Sequence, residues 1–198
     1  MKICIWLIIF LQSGYKEILL PITTTDRKAI HTVEITQIGK FGIVRKARTN
    51  IPQHLHTGID IKRPNENYIN EYIYPITSGV VISKRTDGPY AQLIIEHNKE
   101  GELFWTVYEH IAGIEVELYQ PVKPNLPIAR FFNHKELNTH GWQFDHFHFE
   151  VLKKRPISIR STQSNPERLF TSYTLSCFTE NQLQQHFYDP LVFLDEQM

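Results

Sequence analysis

His146-Phe147-His148 sits inside the run Phe144-Asp145-His146-Phe147-His148-Phe149-Glu150-Val151. In a strand, successive side chains point to opposite faces. His146, His148 and Glu150 would then share one face, and Phe147, Phe149 and Val151 the other. One side of such a strand packs, while the other presents imidazole and carboxylate. A second group, His56-Thr57-Gly58-Ile59-Asp60, lies far upstream. Two imidazoles and one carboxylate are a usual complement for a catalytic zinc, which keeps its fourth position open for water.

Each group has a plainer explanation to set beside this chemistry. His56 and Asp60 are four apart, a spacing that stacks side chains on a helix. Gly58 between β-branched Thr57 and Ile59 argues against a helix. A strand or extended turn also puts both on one face; the plainer explanation is an exposed histidine and an aspartate that caps a turn. For His146 and His148 the plainer explanation is a solvated outer face. Against it, imidazoles on a buried surface cost free energy unless something binds them. Spacing does not decide which of the two is a ligand and which an outer acid or base. His110 continues Thr106 and Tyr108 on one strand face, or else is a rim histidine. His97 reads as solvated, at a strand end before a turn. His134, Glu136 and His140 do not have the His-Glu-x-x-His spacing and read as surface. Glycine-rich phosphate loops and a Gly-x-Ser-x-Gly elbow are absent, and Cys177 has no motif around it.

The elements that must position these residues read as almost wholly β. Val33 to Ile38 alternates like a strand. Pro75 to Ile82 reads as a strand with a bulge or bend at Gly79. Asp87-Gly88-Pro89 marks a turn, Leu93 to His97 a strand, Asn98 to Gly101 a hairpin connection, and Leu103 to His110 the returning strand. Short strands with turns between them predict an antiparallel sheet protein. Asn133 to Asn138 predicts one helical turn. Residues 153–186 read as polar and irregular, with a short helix predicted at the end over Glu180 to His186.

Length and charge narrow the classes. A chain of 198 residues forms one domain or one with an elaboration. Lys+Arg and Asp+Glu are both 21, so no net field recruits a polyanion and no nucleic-acid partner is expected. Lys2 precedes an apolar run from Ile3 to Leu11, then Gln12-Ser13-Gly14. This matches a short secretory signal over residues 1–13, too short to span a bilayer. The alternative is a buried first strand. Removal of that segment leaves Cys177 as the only cysteine and excludes an internal disulfide, so stability must come from the core or a metal. Residues 14–50 read as an N-terminal segment and 51–198 as the main domain, with 153–186 inserted in it.

The order His56-x-x-x-Asp60, Tyr108-Glu109-His110-Ile111, His146-x-His148-Phe149-Glu150 resembles the lysostaphin-like zinc metallopeptidases, the cell-wall endopeptidases. Tyr74 to Val81, Gln92 to His97 and the closing Tyr188-Asp189-Pro190 agree with the family in order. The resemblance covers about residues 51–152 and the tail. It implies a mainly β, antiparallel fold, the duplicated hybrid motif, with loop insertions. It implies Zn2+ on His56, Asp60 and His148, with His110 and His146 as the non-ligand catalytic histidines. It further implies an exported enzyme at the periplasm or cell surface, cutting peptide stems or cross-bridges of peptidoglycan. The competing classes are a non-catalytic cell-wall-binding or amidase-activating module, and a zinc peptidase acting on proteins. The family's slim approach to His-x-His is replaced here by Phe131 to Asp145. Its Phe131, Phe132, Trp142 and Phe144 are expected to wall the cleft.

Overall fold

The computed structural model describes residues 17–198, so the basic and apolar start of the chain lies outside the described residues. Among the described residues the first strands are short: β1 (Val44–Arg45), β2 (His54–Leu55), β3 (Ile59–Lys62) and β4 (Tyr72–Ile73). The long strands β5 (Gly79–Arg85), β6 (Gln92–Lys99) and β7 (Glu102–Glu109) follow. Glu100 and Gly101 both take positive φ (54° and 96°), so a two-residue turn closes the β6–β7 hairpin. Then come β8 (Pro121–Val122), β9 (Ala129–Arg130), helix α1 (His134–His140) and β10 (His146–Leu152). The chain ends with β11 (Ile157–Ser158), β12 (Phe170–Thr171), α2 (Glu180–His186), β13 (Phe187–Tyr188) and α3 (Pro190–Gln197).

Among the described residues the main sheet has seven strands, in the order β13-β10-β7-β6-β5-β8, with β3 also on β10. Its pairings are all antiparallel. β3 and β13 share one edge of β10. β3 takes His146 to Phe149 and β13 takes Val151 and Leu152. The architecture is therefore mainly antiparallel β, as the spacing of turns and strands predicts.

Alternation assigns the two faces of this sheet. Phe147, Phe149 and Val151 of β10 join Tyr108, Leu93 and Ile95 in the main core, together with Ile18, Leu20 and Ile22 from before β1 and Phe193 and Leu194 from α3. Leu152, Val107, Trp105 and Ile94 point the other way. They form a second core with Leu55, Cys177, Leu183 and Phe187. Residues 153–186 thus carry secondary structure and cover part of the second face, the face that also carries His146, His148 and Glu150.

Several local expectations are corrected. Val33 to Ile38 is not a strand: Ile35 bridges Ile61, and the chain then turns, Gly39 N–H donating to the Thr36 carbonyl. The irregularity in β5 lies between Val81 and Ser83 rather than at Gly79. α1 runs two turns because a capping box supports it, Asn133 and Glu136 each accepting from the other's backbone N–H. His97 is buried, not solvated. β6 runs on to Lys99, which sets His97 opposite Phe104 on the core face. Its ring stacks on Phe104, with Nδ1 3.0 Å from the Ser78 carbonyl and Nε2 2.8 Å from Thr106 Oγ1.

Gly58, directly before β3, lies tight against β10. A Cβ there would lie 2.2 Å from the Phe149 carbonyl oxygen and 2.9 Å from His148 Cε1. Both contacts are too short, and one is backbone. Gly58→Ala is expected to cost on the order of 1–3 kcal/mol, the usual range for overpacking. A chain of this size then melts lower by roughly 2–4 °C per kcal/mol. A melting temperature unchanged from the parent would show that β3 moves freely on β10.

Candidate metal centre

Three strands deliver the central groups. The β3–β10 register sets Asp60 directly across from His148. His56 enters from the end of β2, one residue past Leu55. Together His56 Nε2, Asp60 Oδ1 and His148 Nδ1 make a triangle with edges of 3.1, 3.0 and 2.9 Å. All three residues are buried. Three basic atoms held this close repel unless a cation, a proton or a metal ion, lies among them. Ligands 2.0–2.1 Å from a tetrahedral zinc are about 3.3 Å apart. The triangle is within a few tenths of an ångström of that requirement, so the donor set fits zinc.

The outward-facing atom of each of these groups is also tied. His56 Nδ1 lies 2.9 Å from the Lys40 carbonyl, so it must donate, and the Nε2 lone pair turns to the triangle. His148 Nε2 lies 3.0 Å from Glu150 Oε1, which fixes the opposite tautomer on that ring. Arg45 Nη2 donates to Asp60 Oδ2 at 2.6 Å, leaving Oδ1 to face the histidines. Such outer partners orient metal ligands and raise their basicity.

Electrostatics follow from this geometry. Burial lowers the pKa of His148, but the Asp60 and Glu150 carboxylates outweigh it and raise it to about 10. Burial works against the charge of Asp60, yet hydrogen bonds from His148 and His56 hold its carboxyl well below the usual range. His56 is lowered, mainly by burial. Glu150 overcomes its own burial through His148, Ser172 and Thr174 and is lowered to about 2.

His110 and His146 stand beside the triangle and outside it. His146 Nε2 is 3.8 Å from Asp60 Oδ1, farther than His148. The His110 ring lies 5.3 Å from that of His146 and 6.5 Å from that of His148. Its Nδ1 is 2.6 Å from the Pro89 carbonyl, which leaves the Nε2 lone pair free. Burial lowers both imidazoles to about 4, so both are neutral bases near pH 7.

The route by which His110 arrives differs from the expectation. Tyr108 belongs to the main core, so a continued β7 would carry residue 110 into that core too. Instead β7 ends at Glu109, and His110 takes φ +62°. That left-handed residue swings the imidazole across to the face of His146 and His148. Non-glycine residues rarely adopt this conformation, and it concentrates at functional sites.

The aromatic approach also differs in part. Phe131 is buried in the main core, and Phe132 in a small cluster with Ala112 and Leu137. Neither walls the cleft, because the Phe131 N–H still bonds the Glu71 carbonyl and keeps the chain on the body of the protein after β9. Phe144 does reach the site, 4.8 Å from the His110 ring and 5.9 Å from Tyr90. Trp142 is exposed against Tyr68 and His134. Beside His146, a cleft of about 290 Å³ is lined by Lys62, Arg63, Tyr68 and Asp145.

Sequence reasoning missed Lys40, Arg45, Glu109, Ser172 and Thr174. Glu109 faces His148 across the β7–β10 pair and accepts from Gln92 Nε2; burial raises its pKa. Period-two alternation already places Glu150 on the face of His148, where it is that ring's partner.

A profile of the family described as "Peptidase family M23" matches residues 36–165. No significant match is found among curated proteins. Solved structures that are similar include a zinc-containing peptidase from Vibrio cholerae, 27% identical with a TM-score of 0.47, covering 72% of this chain and 39% of that one. Lysostaphin in solution is 16% identical with a TM-score of 0.49, over 85% of this chain and 52% of that one. A chain in the SpoIIIAH and SpoIIQ complex is 19% identical with a TM-score of 0.45, over 69% and 92%. This chain therefore spans less than half the length of the Vibrio cholerae peptidase. Among the described residues, no helix is long and apolar enough to cross a membrane.

Proposed function

This chain belongs to peptidase family M23, and from that premise we propose a zinc-dependent endopeptidase that hydrolyses peptide bonds in the stems or cross-bridges of peptidoglycan. The observation that carries the reading is the triangle of His56, Asp60 and His148, each tied from behind, with two neutral imidazoles beside it. A zinc ion held there supplies, when bound, a Lewis acid with an open fourth position.

The chain's own groups account for the rest. His110 Nε2 carries a lone pair, because Nδ1 is committed to the Pro89 carbonyl. It can accept a proton from the attacking water. His146, neutral and close to Asp60, can donate an N–H to the oxyanion that develops on the scissile carbonyl. Either imidazole, once protonated, can return the proton to the leaving amine.

The test is metal analysis of purified protein, followed by mass spectrometry of digested peptidoglycan. About one zinc per chain and new peptide ends are expected. Zinc with cleavage of proteins but not of peptidoglycan would move the substrate to proteins. Neither zinc nor cleavage, with tight binding to an amidase or to glycan, would make it a non-catalytic module. Removing zinc with a chelator should also lower the melting temperature, since a ligand that binds only the folded chain stabilises it by RT ln(1 + [L]/Kd), about 4.1 kcal/mol at 1,000 Kd. An unchanged melt would remove the metal from the fold's energetics.

Export completes the proposal. Residues 1–13 are read as a removable signal from their basic and apolar sequence. Secreted protein should begin near Gly14 by N-terminal sequencing; cytoplasmic protein that keeps Met1 would contradict this.

A further inference from the structure

Glu150 is 1% exposed, and its partners come from three separate parts of the chain. Its Oε1 accepts from His148 Nε2, from Thr57 Oγ1 beside His56, and from Thr174 Oγ1; its Oε2 accepts from Ser172 Oγ. Thr174 also lies 2.9 Å from Thr57 Oγ1 and 3.0 Å from Ser172 Oγ, so the hydroxyls touch one another. Ser172 and Thr174 belong to the polar segment after β10, in the bend just past β12. That segment is also anchored by contacts away from Glu150. Leu169 and Phe170 N–H groups donate to Ser83 Oγ, Leu55 N–H donates to the Cys177 carbonyl, and Cys177 and Leu183 lie in the second core.

A buried carboxylate beside a metal-facing imidazole has several rotamers open to it. Two of its four donors lie on a segment placed by its own packing, and these donors leave it one orientation. That orientation gives Oε1 to the His148 Nε2–H and so keeps the Nδ1 lone pair on the triangle. We propose that Ser172 and Thr174 are positioning residues for the metal centre, acting through Glu150 on the tautomer and ring angle of His148. The polar segment 153–186 is then a working part of the site rather than a decoration upon it. The inference rests on the zinc reading above.

The experiment compares zinc affinity by chelator competition in the full chain and in Ser172→Ala/Thr174→Val. The change is close to isosteric and touches neither the ligands nor His110 and His146. Outer partners of metal ligands are typically worth about 10–100-fold in affinity, and a loss of that size is expected. Thr174→Ser keeps the hydroxyl and should bind as the parent does. In the cobalt-loaded protein, the visible ligand-field bands should shift in the double variant and not in Thr174→Ser. A double variant that binds zinc within about threefold of the parent, with unshifted bands, overturns the proposal. So does a loss that Thr174→Ser shares equally. If the double variant does not fold, the two single variants are read the same way against their melting temperatures, and a loss of affinity wholly explained by melting overturns it as well. A parent chain that binds no zinc defeats the zinc reading itself, a result distinct from all of these.

Discussion

His148→Ala is expected to release the metal. The imidazole supplies one corner of the triangle and is also the hydrogen-bond bridge between two buried carboxylates, Asp60 and Glu150. Truncation removes a ligand outright, so affinity should fall by more than the ~10–100-fold typical of lost outer partners. Zinc content should drop from near one per chain to background, and cleavage with it. The buried carboxylates, each short of one partner without the imidazole, should also soften the fold, because a lost hydrogen bond to a buried charged group costs free energy. The check is metal content, melting temperature and turnover on one preparation. Full zinc retention in this variant would sink the ligand assignment.

His110→Ala and His146→Ala should give the opposite dissociation of effects: metal kept, turnover lost. Neither imidazole is a corner of the triangle, and both are neutral bases within reach of it. General acid–base catalysis is typically worth ~10²–10⁴-fold, which at 1.36 kcal/mol per tenfold is about 3–5 kcal/mol of barrier. The loss should appear in kcat more than in KM, since these groups act on the transition state rather than on substrate binding. If one variant loses zinc in proportion to activity, that residue is a ligand and the set must be redrawn. If one keeps full activity, it is a rim histidine, and the metal centre carries the chemistry without it.

Legibility from sequence divided along a physical line. Features set by local period were readable. The alternation of Phe147, Phe149 and Val151 against His146, His148 and Glu150 holds in β10, and turn residues marked the β6–β7 hairpin. The residues that the motif order selected are brought together in space, His56 and Asp60 across from His148. What depends on tertiary packing was not readable. Nothing in the local pattern of Arg45, Ser172 or Thr174 says that each ends beside the centre. His97 looked like a strand end only because the hairpin was placed two residues early. His110 looked like part of a strand face, and a single left-handed residue moved it to the other one. Phe131 and Phe132 looked like cleft walls because aromatic residues in a loop stand out, yet burial in a core claims them first.

The contacts that build the centre span long stretches of chain. His56 meets His148 across 92 positions, Thr57 meets Glu150 across 93, and Thr57 meets Thr174 across 117. Zinc fingers gather their ligands from a short stretch and use the ion to drive folding. Here the loop to be closed, 92 positions from His56 to His148, is nearly half of the chain, and its ends come together when β3 docks on β10. Such long-range pairing forms late and slowly. An ion held at this triangle would therefore have nothing to organise until the sheet exists, and its loading would be the last step of maturation. A chain that crosses a membrane unfolded would carry no metal with it. Its zinc would come from the compartment where it folds, so its activity would report on the metal supply there rather than at the site of synthesis.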